Sequence, residues 1–237
     1  MENKITTVLF DLDGTLLPMD EKYFTKLYFA AMAKKLAPYG YEAESLVKAT
    51  WAGTKAMRLN DGSEKNEKKF WSAFTSVLGE DKLKDIPLFE EFYRTDFVAA
   101  KESCGFNPLA KKAVDYIKSK GMKVALATNP IFPSIATEQR INWAGLTTDD
   151  FELFTTYENY SHCKPNPDYY KEVCDNLGVN PINCLMVGND ATEDTAAGKL
   201  GMKVFLVTDC LINENNVDIK AYPNGNFDDL IEFIDTL

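Results

Sequence analysis

The sequence contains a single histidine, His162, among 237 residues. One histidine cannot build a histidine-rich metal cluster, and it cannot complete a Ser/His catalytic triad without partners. We interpret His162 as a loop residue near a site rather than as a catalyst. Any metal binding or catalysis in this chain must therefore depend on other side chains.

Cysteines are also few. The five of them are odd in number, widely spread and form no C-x-x-C pair: Cys104, Cys163, Cys174, Cys184 and Cys210. This pattern predicts neither a disulfide framework nor a zinc site. We expect reduced and mostly buried thiols.

Basic residues are outnumbered by acidic ones. The chain has 26 Lys and Arg against 36 Asp and Glu, which gives a formal net charge of −10. Nucleic acids and anionic lipids are bound by clustered Lys and Arg, so we expect no nucleic-acid partner and no membrane partner. A small anionic substrate stays possible, because a divalent cation and one or two Lys in a pocket can outweigh the global charge.

Long apolar runs are missing as well. No stretch approaches the roughly 20 residues needed to span a bilayer. Residues 1–7 lack the basic start and apolar run of a secretion signal. We therefore expect an ordered, soluble, cytoplasmic protein, whose oligomeric state the sequence leaves unknown.

What the sequence does contain is an alternation of short apolar runs and helical patterns. The runs are typical of buried parallel strands and lie at 6–12, 122–128, 184–187 and 203–207. The helical patterns lie at 107–120, 167–177 and 193–200, and each ends next to a glycine. This order predicts an α/β fold with a doubly wound, Rossmann-like parallel sheet.

One interval breaks the alternation. Consecutive helical patterns occupy 21–36, 43–59, 64–78 and 87–100, with no convincing strand among them. We predict an α/β core formed by residues 1–17 and 106–237, with residues 18–105 inserted after the first strand as a helical-bundle cap. Such a cap would cover the carboxyl ends of the strands, where open α/β sheets bind their ligands.

The strongest local signal is a pair of carboxylates, Asp11 and Asp13, at the end of the first apolar run and directly before Gly14. At the end of a strand the chain can curl so that both carboxylates approach one metal ion. The alternative interpretation is an ordinary turn capped by acids.

This segment, Val8-Leu9-Phe10-Asp11-Leu12-Asp13-Gly14-Thr15-Leu16, resembles the first motif of the haloacid dehalogenase superfamily. Three later segments resemble the remaining motifs in the correct order: 124–129, which ends in Thr128-Asn129; 162–167, which contains Lys164; and 185–194, which contains Asp190 and Asp194. Each later motif is weak alone, and the combination is specific.

The resemblance implies a Mg²⁺-dependent phosphatase. Asp11 would attack phosphorus and form an aspartyl-phosphate, and Asp13 would protonate the leaving group and then activate water. The implied phosphate-binding residues are Leu12, Thr128, Asn129 and Lys164. The implied metal-binding residues are Asp11, Asp13, Asp190 and Asp194.

The fourth motif departs from the common family form, in which Asp directly follows Gly. Here Asn189 lies between Gly188 and Asp190. We favour Asp190 as the metal ligand because a carboxylate binds a hard cation better than an amide does. Asn189 stays an alternative.

The expected substrate is a small phosphorylated metabolite, since the resemblance is to the class with a helical cap. In that cap, Lys55 and Arg58 are three residues apart on a predicted helix and are candidates to bind the far end of the substrate. A sugar phosphomutase of the same superfamily is the alternative enzyme. A receiver-like phospho-relay is the non-enzymatic alternative, although receiver domains lack both the Asp-x-Asp-Gly-Thr turn and the cap.

Overall fold

The computed structural model describes residues 4–237. Five strands form one sheet in the order β2-β1-β3-β4-β5, and every neighbouring pair is parallel. The strands are β1 (Thr7–Phe10), β2 (Lys123–Leu126), β3 (Cys184–Gly188), β4 (Lys203–Val207) and β5 (Asn224–Gly225). The predicted α/β fold with a parallel sheet is confirmed.

Eight α-helices accompany the sheet. They are α1 (Glu21–Leu36), α2 (Ala43–Arg58), α3 (Asn66–Leu78), α4 (Ile86–Thr95), α5 (Pro108–Ser119), α6 (Ser134–Trp143), α7 (Pro167–Leu177) and α8 (Phe227–Asp235). The predicted helix at 193–200 is a 3-10 helix, Asp194–Leu200, and the one at 87–100 ends at Thr95 and continues as a 3-10 helix, Phe97–Ser103.

The sheet is covered on both faces because its side chains alternate between them. Val8 and Phe10 of β1 belong to the apolar cluster that includes α5 and α8. Leu9 belongs to a second cluster with α7 and the 3-10 helix Asp194–Leu200. The strands are therefore buried on both sides, which explains their continuous apolar runs.

Helices α1 to α4, with the 3-10 helix Phe97–Ser103, form a helical segment that we define as residues 21–103. The chain enters and leaves this segment side by side, since the Asp20 N–H donates to the Ser103 carbonyl at 3.1 Å and the Gly105 N–H donates to the Pro18 carbonyl at 2.7 Å. Met19 and Cys104 form an antiparallel bridge at the same place. The two connections therefore form one narrow junction with the sheet.

Two helices, α6 and α8, were not predicted. The buried face of helix α6 mixes polar and apolar residues, with Arg140 beside Ile141. Its sequence therefore lacks the apolar periodicity that would have predicted a helix. Within residues 4–237, no helix has the length and apolarity required to cross a membrane.

Candidate active site

Three neighbouring strands, β2, β1 and β3, end together at one edge of the sheet. Asp11 and Asp13 follow β1, Thr128 and Asn129 follow β2, and Asn189 and Asp190 follow β3. Because β1 lies between β2 and β3, the predicted motifs meet around Asp11. A cavity of about 380 Å³ opens there and extends into the helical segment.

Lys164 lies between two carboxylates. Its Nζ donates to Asp11 Oδ1 at 2.8 Å and to Asp194 Oδ1 at 2.7 Å, and the Lys164 side chain is only 1% exposed. Burial opposes the charged form of Lys164, but the charges of Asp11 and Asp194 raise its pKa well above the usual value. Burial raises the pKa of Asp194, and Lys164 partly offsets that rise. The ammonium group is thus held charged beside Asp11.

Asp13 is paired with Arg140, a residue that the sequence did not single out. Arg140 Nη1 contacts Asp13 Oδ2, and the Arg140 side chain is 1% exposed. The guanidinium also donates to the Ala136 carbonyl and to Thr137 Oγ1 and stacks over the Phe132 ring at 4.4 Å. These contacts fix the group that faces Asp13. No local sequence signal marks Arg140, because the burial of a charged side chain is decided by tertiary packing.

Burial raises the pKa of Asp13, while Arg140 lowers it and the Asp11 carboxylate raises it. The net effect is an increase, which favours a proton on Asp13 beside an Asp11 that contacts Lys164. Two neighbouring carboxyl groups with different environments are suited to different chemical roles.

Unpartnered backbone amides surround the carboxylates. Within residues 4–237, the N–H groups of Leu12, Asp13 and Asn129 donate to no protein acceptor. The Thr128 carbonyl accepts from Thr155 Oγ1 at 2.6 Å and from Tyr169 Oη at 2.7 Å, while its hydroxyl makes no hydrogen bond with a described residue. Free N–H and O–H donors next to a buried Lys can bind a phosphate group.

Two glycines are required by the packing at this edge. Gly14 has φ +80°, and a Cβ there would lie 2.2 Å from Asn189 Nδ2. A Cβ at Gly188 would lie 2.0 Å from Asp194 Oδ2. Each glycine therefore lets a polar side chain of the site approach the backbone closely.

Asn189 and Asp190 differ in how their side chains are used. Asn189 Oδ1 accepts from the Thr15 hydroxyl at 3.0 Å, and its Nδ2 donates to the Cys210 carbonyl at 2.8 Å. Asp190 Oδ1 accepts from the N–H groups of Thr192 and Glu193. The other oxygen of Asp190, Oδ2, accepts no hydrogen bond from the described part of the chain. Both residues line the cavity.

The oxygen atoms at this edge suit a hard cation. No three His, Cys, Asp or Glu side chains among residues 4–237 form a ready-made metal cluster. Mg²⁺, however, is usually held by one or two carboxylates together with water and a substrate phosphate. Among the described residues, the buried Oδ1 atoms of Asp13 and Asn129 have no hydrogen-bond partner, and they belong to the same cavity lining as the carboxylates of Asp11 and Asp190. The donor set therefore fits Mg²⁺.

The two cations predicted in the helical segment lie in different places. Arg58 lines the cavity and its Nη2 donates to Glu193 Oε1 at 2.9 Å, while Glu193 Oε2 accepts from Asn129 Nδ2 at 3.0 Å. Lys55 is exposed and is not a cavity residue. Thr54, one position earlier than Lys55, faces the cavity instead.

His162 lies in the loop before Lys164 and contacts Glu172, with 3.2 Å between Nδ1 and Oε2. It does not line the cavity. The thiols are all free, and those of Cys163, Cys174 and Cys184 are buried. The structure thus agrees with the expectation of reduced, mostly buried cysteines.

The chain is similar in sequence to known proteins. YhcW of Bacillus subtilis (strain 168), named as a phosphatase, is 31% identical over 48% of this chain and 50% of its own length. The bifunctional riboflavin kinase/FMN phosphatase of Arabidopsis thaliana is 28% identical over 84% of this chain and 48% of its own length. The chain thus spans about half the length of these two relatives.

The fold is also that of solved structures. The crystal structure of a HAD phosphatase from Thermococcus onnurineus superimposes with a TM-score of 0.60 at 18% identity and covers 97% of this chain and 98% of that chain. The family model for haloacid dehalogenase-like hydrolases matches residues 5–201. With the fold and this match taken together, the chain belongs to the haloacid dehalogenase-like hydrolases.

Proposed function

We propose that this hydrolase is a Mg²⁺-dependent phosphomonoesterase that works through an aspartyl-phosphate on Asp11. The observation that carries the proposal is the pair of environments at the end of β1: Asp11 bonded to the Lys164 ammonium, and Asp13 bonded to the Arg140 guanidinium. The phosphatase names of the two relatives support the same kind of chemistry.

In the first step a carboxylate oxygen of Asp11 attacks phosphorus and the ester P–O bond breaks. Asp13, protonated at the start, gives its proton to the departing alkoxide, and the alcohol leaves. In the second step Asp13 takes a proton from water as the water oxygen attacks phosphorus. The bond between phosphorus and Asp11 breaks, and inorganic phosphate and the free Asp11 carboxylate result.

The phosphate would be held by the free N–H groups of Leu12 and Asn129, the Thr128 hydroxyl and the Lys164 ammonium. Mg²⁺ would be held by Asp11, the Asp13 backbone carbonyl and Asp190. Asp194 would orient the water molecules bound to the cation. A cation held there would neutralise charge on the transferring phosphoryl group. Lys164 contributes in the same sense, because it already offsets the charge of Asp11.

We further propose that the helical segment acts as the cap, within a unit of residues 18–105, and closes the cavity over a small phosphorylated metabolite. Arg58 of α2 pairs with Glu193, which follows β3, and this ion pair connects the helical segment to the core. A closed cap excludes water until the alcohol has left. Arg58 is the better placed of the two cap cations to contact substrate, and Lys55 lies on the outer face of α2.

Chelation should remove activity reversibly. We expect EDTA to abolish hydrolysis of p-nitrophenyl phosphate, Mg²⁺ to restore it, and Ca²⁺ to inhibit because it prefers a larger coordination shell. At 100 times its Kd, Mg²⁺ should stabilise the fold by about 2.7 kcal/mol. The thermal unfolding midpoint measures this effect without relying on activity.

The matched variants are Asp190→Asn and Asp149→Asn, the latter at an exposed carboxylate outside the cavity. Asp190→Asn should lose the Mg²⁺-induced shift, and Asp149→Asn should keep it. If the Mg²⁺-induced shift in the unfolding midpoint persists in Asp190→Asn, Asn189 rather than Asp190 is the metal ligand. Full activity in excess EDTA would contradict the metal site altogether.

Arg140 should act as a positioning residue for Asp13. General acid catalysis contributes about 10² to 10⁴ in rate. We expect Arg140→Met to lower kcat/KM about 100-fold on an alkyl phosphate, whose leaving group needs a proton. The loss on p-nitrophenyl phosphate should be much smaller, because p-nitrophenolate leaves without protonation. Comparison of kcat/KM for the two esters measures this difference, because kcat/KM reports the transfer of the phosphoryl group to Asp11 and not the later hydrolysis step that both esters share.

Arg140→Lys should recover part of the alkyl phosphate activity, since it restores a cation. Arg94→Met is the matched control, because Arg94 is an exposed partner of Glu90 on α4. Equal losses on both esters in Arg140→Met would indicate a general structural defect rather than a role through Asp13.

A further inference from the structure

The cavity beyond the carboxylates is lined mainly by aromatic side chains. Four helices of the helical segment and two loops of the core contribute them. They include Phe24, Tyr28, Phe29, Trp51, Trp71 and Phe132. Aromatic walls bury flat apolar groups well, and they form few hydrogen bonds with hydroxyl groups.

Most polar side chains that the helical segment contributes to these walls are already hydrogen-bonded within the protein. Among the described residues, the buried Nε1 of Trp71 has no hydrogen-bond partner and is a free donor. Three threonines of the helical segment line the cavity, and each donates its hydroxyl to the carbonyl four residues earlier on its own helix: Thr25 to Glu21, Thr50 to Leu46 and Thr54 to Thr50. A substrate hydroxyl would have to break one of these bonds to gain a threonine donor.

Two tyrosines and the arginine of these walls are paired as well. The Tyr28 and Tyr93 hydroxyls bond each other at 2.8 Å, and Arg58 is paired with Glu193. The Glu21 carboxylate, at the mouth of this part of the cavity, makes no hydrogen bond with a described residue, and its pKa is raised to about 7 by desolvation and by the nearby charges of Asp13 and Asp11. One carboxyl group and one indole N–H cannot satisfy the several hydroxyls of a sugar.

We propose that the substrate is a phosphate ester whose organic group is flat, aromatic and poor in hydroxyls. This inference rests on the proposed function, because it places the phosphate at Asp11. A sugar would lose water from its hydroxyls on entering the aromatic part of the cavity and would find few partners there. An aromatic group would lose few hydrogen bonds to water and would be buried against the rings of the cavity wall.

Two esters with the same kind of leaving group test the proposal. In both 2-(1-naphthyl)ethyl phosphate and glycerol 3-phosphate the leaving group is a primary alkoxide, so the intrinsic reactivity of the two esters is similar. We expect kcat/KM to be about 100-fold higher for the naphthyl ester, since only the binding of the organic group differs. An equal or higher kcat/KM for glycerol 3-phosphate would overturn the proposal.

Trp51 offers a variant that does not endanger the fold. It is 51% exposed, and its ring lies 5.6 Å from that of Phe29 at the cavity wall. Trp51→Ala should raise KM for the naphthyl ester about tenfold and leave glycerol 3-phosphate unaffected. Tyr39→Ala is the control, because Tyr39 is 52% exposed and lies outside the cavity. An unchanged KM in Trp51→Ala would count against the aromatic site.

Binding without turnover separates this proposal from the proposed function. The probes are 3-(1-naphthyl)propylphosphonate and 3,4-dihydroxybutylphosphonate, which replace the ester oxygen of the two substrates with carbon, and tryptophan fluorescence of the wild-type protein reports their binding. We expect at least tenfold tighter binding of the naphthyl compound. This preference without hydrolysis of either ester would refute the phosphatase and keep the aromatic site. Hydrolysis of both esters with equal binding of both probes would support the phosphatase and refute the aromatic site.

Discussion

Asp11→Asn will lose essentially all hydrolysis, at least about a thousandfold in kcat, on every phosphate ester tested. An amide is a poor nucleophile, and an aspartyl-phosphate cannot form on it. The change is nearly isosteric, so the fold should persist. Circular dichroism and the thermal midpoint check the fold, and kcat on p-nitrophenyl phosphate checks the chemistry.

A direct observation of the intermediate strengthens this test. Wild-type protein mixed with substrate and quenched in acid should carry a phosphoryl group on the peptide that contains Asp11, and Asp11→Asn protein should carry none. Asp20→Asn is a useful comparison, because Asp20 is a nearby carboxylate whose observed role is to cap α1 by accepting from the Tyr23 N–H. Residual turnover of several per cent in a well-folded Asp11→Asn protein would exclude the proposed nucleophile.

Lys164→Met will lower both activity and stability. The buried ammonium has two carboxylate partners, at 2.8 and 2.7 Å. Removing one member of a buried ion pair leaves an uncompensated charge and typically costs about 3–5 kcal/mol. Urea unfolding at neutral pH measures that loss. The deficit should shrink as the pH falls, because an unpaired buried carboxyl group gains a proton more readily in the folded state than in the unfolded state.

Lys171→Met is the matched control. Lys171 makes an exposed i,i+4 pair with Asp175 on α7, and such pairs contribute about 0–1 kcal/mol. The double variant Lys164→Met/Asp194→Asn should recover part of the stability, since one buried charge is removed, but no activity. A Lys164→Met protein as stable as the wild type would show that the carboxylates are not charged in the fold.

Much of the core could be predicted because its signals are local. The strand 203–207 and the helices 21–36 and 167–177 have the bounds that the sequence predicts. Apolar runs, cap residues and glycine stops act within a few residues, and each can be recognised without knowledge of the rest of the chain. Helix α8, which begins with a capping box at Asn226, carried the same kind of signal and was overlooked.

The candidate catalytic residues were also accessible from sequence, for a topological reason. Asp11, Thr128 and Asp190 each lie just past the end of a strand, and the carboxyl ends of parallel strands lie at the same edge of a sheet. Their assigned roles at that edge stay predictions. The sequence could not choose between Asn189 and Asp190, because the choice depends on which oxygen is already bonded to Thr15 or to a backbone amide.

The sequence by itself therefore determined the parallel sheet, the helical segment and the residues at the strand ends. Only the tertiary structure decided that Arg140 faces Asp13, since these residues are 127 positions apart. It also separated Arg58, at the cavity, from Lys55, on the outer face of the same helix. The aromatic wall arises in the same way, from helices that meet across the cavity. Contacts of this kind depend on how elements pack, and local periodicity carries no information about the partner that a helix face will meet.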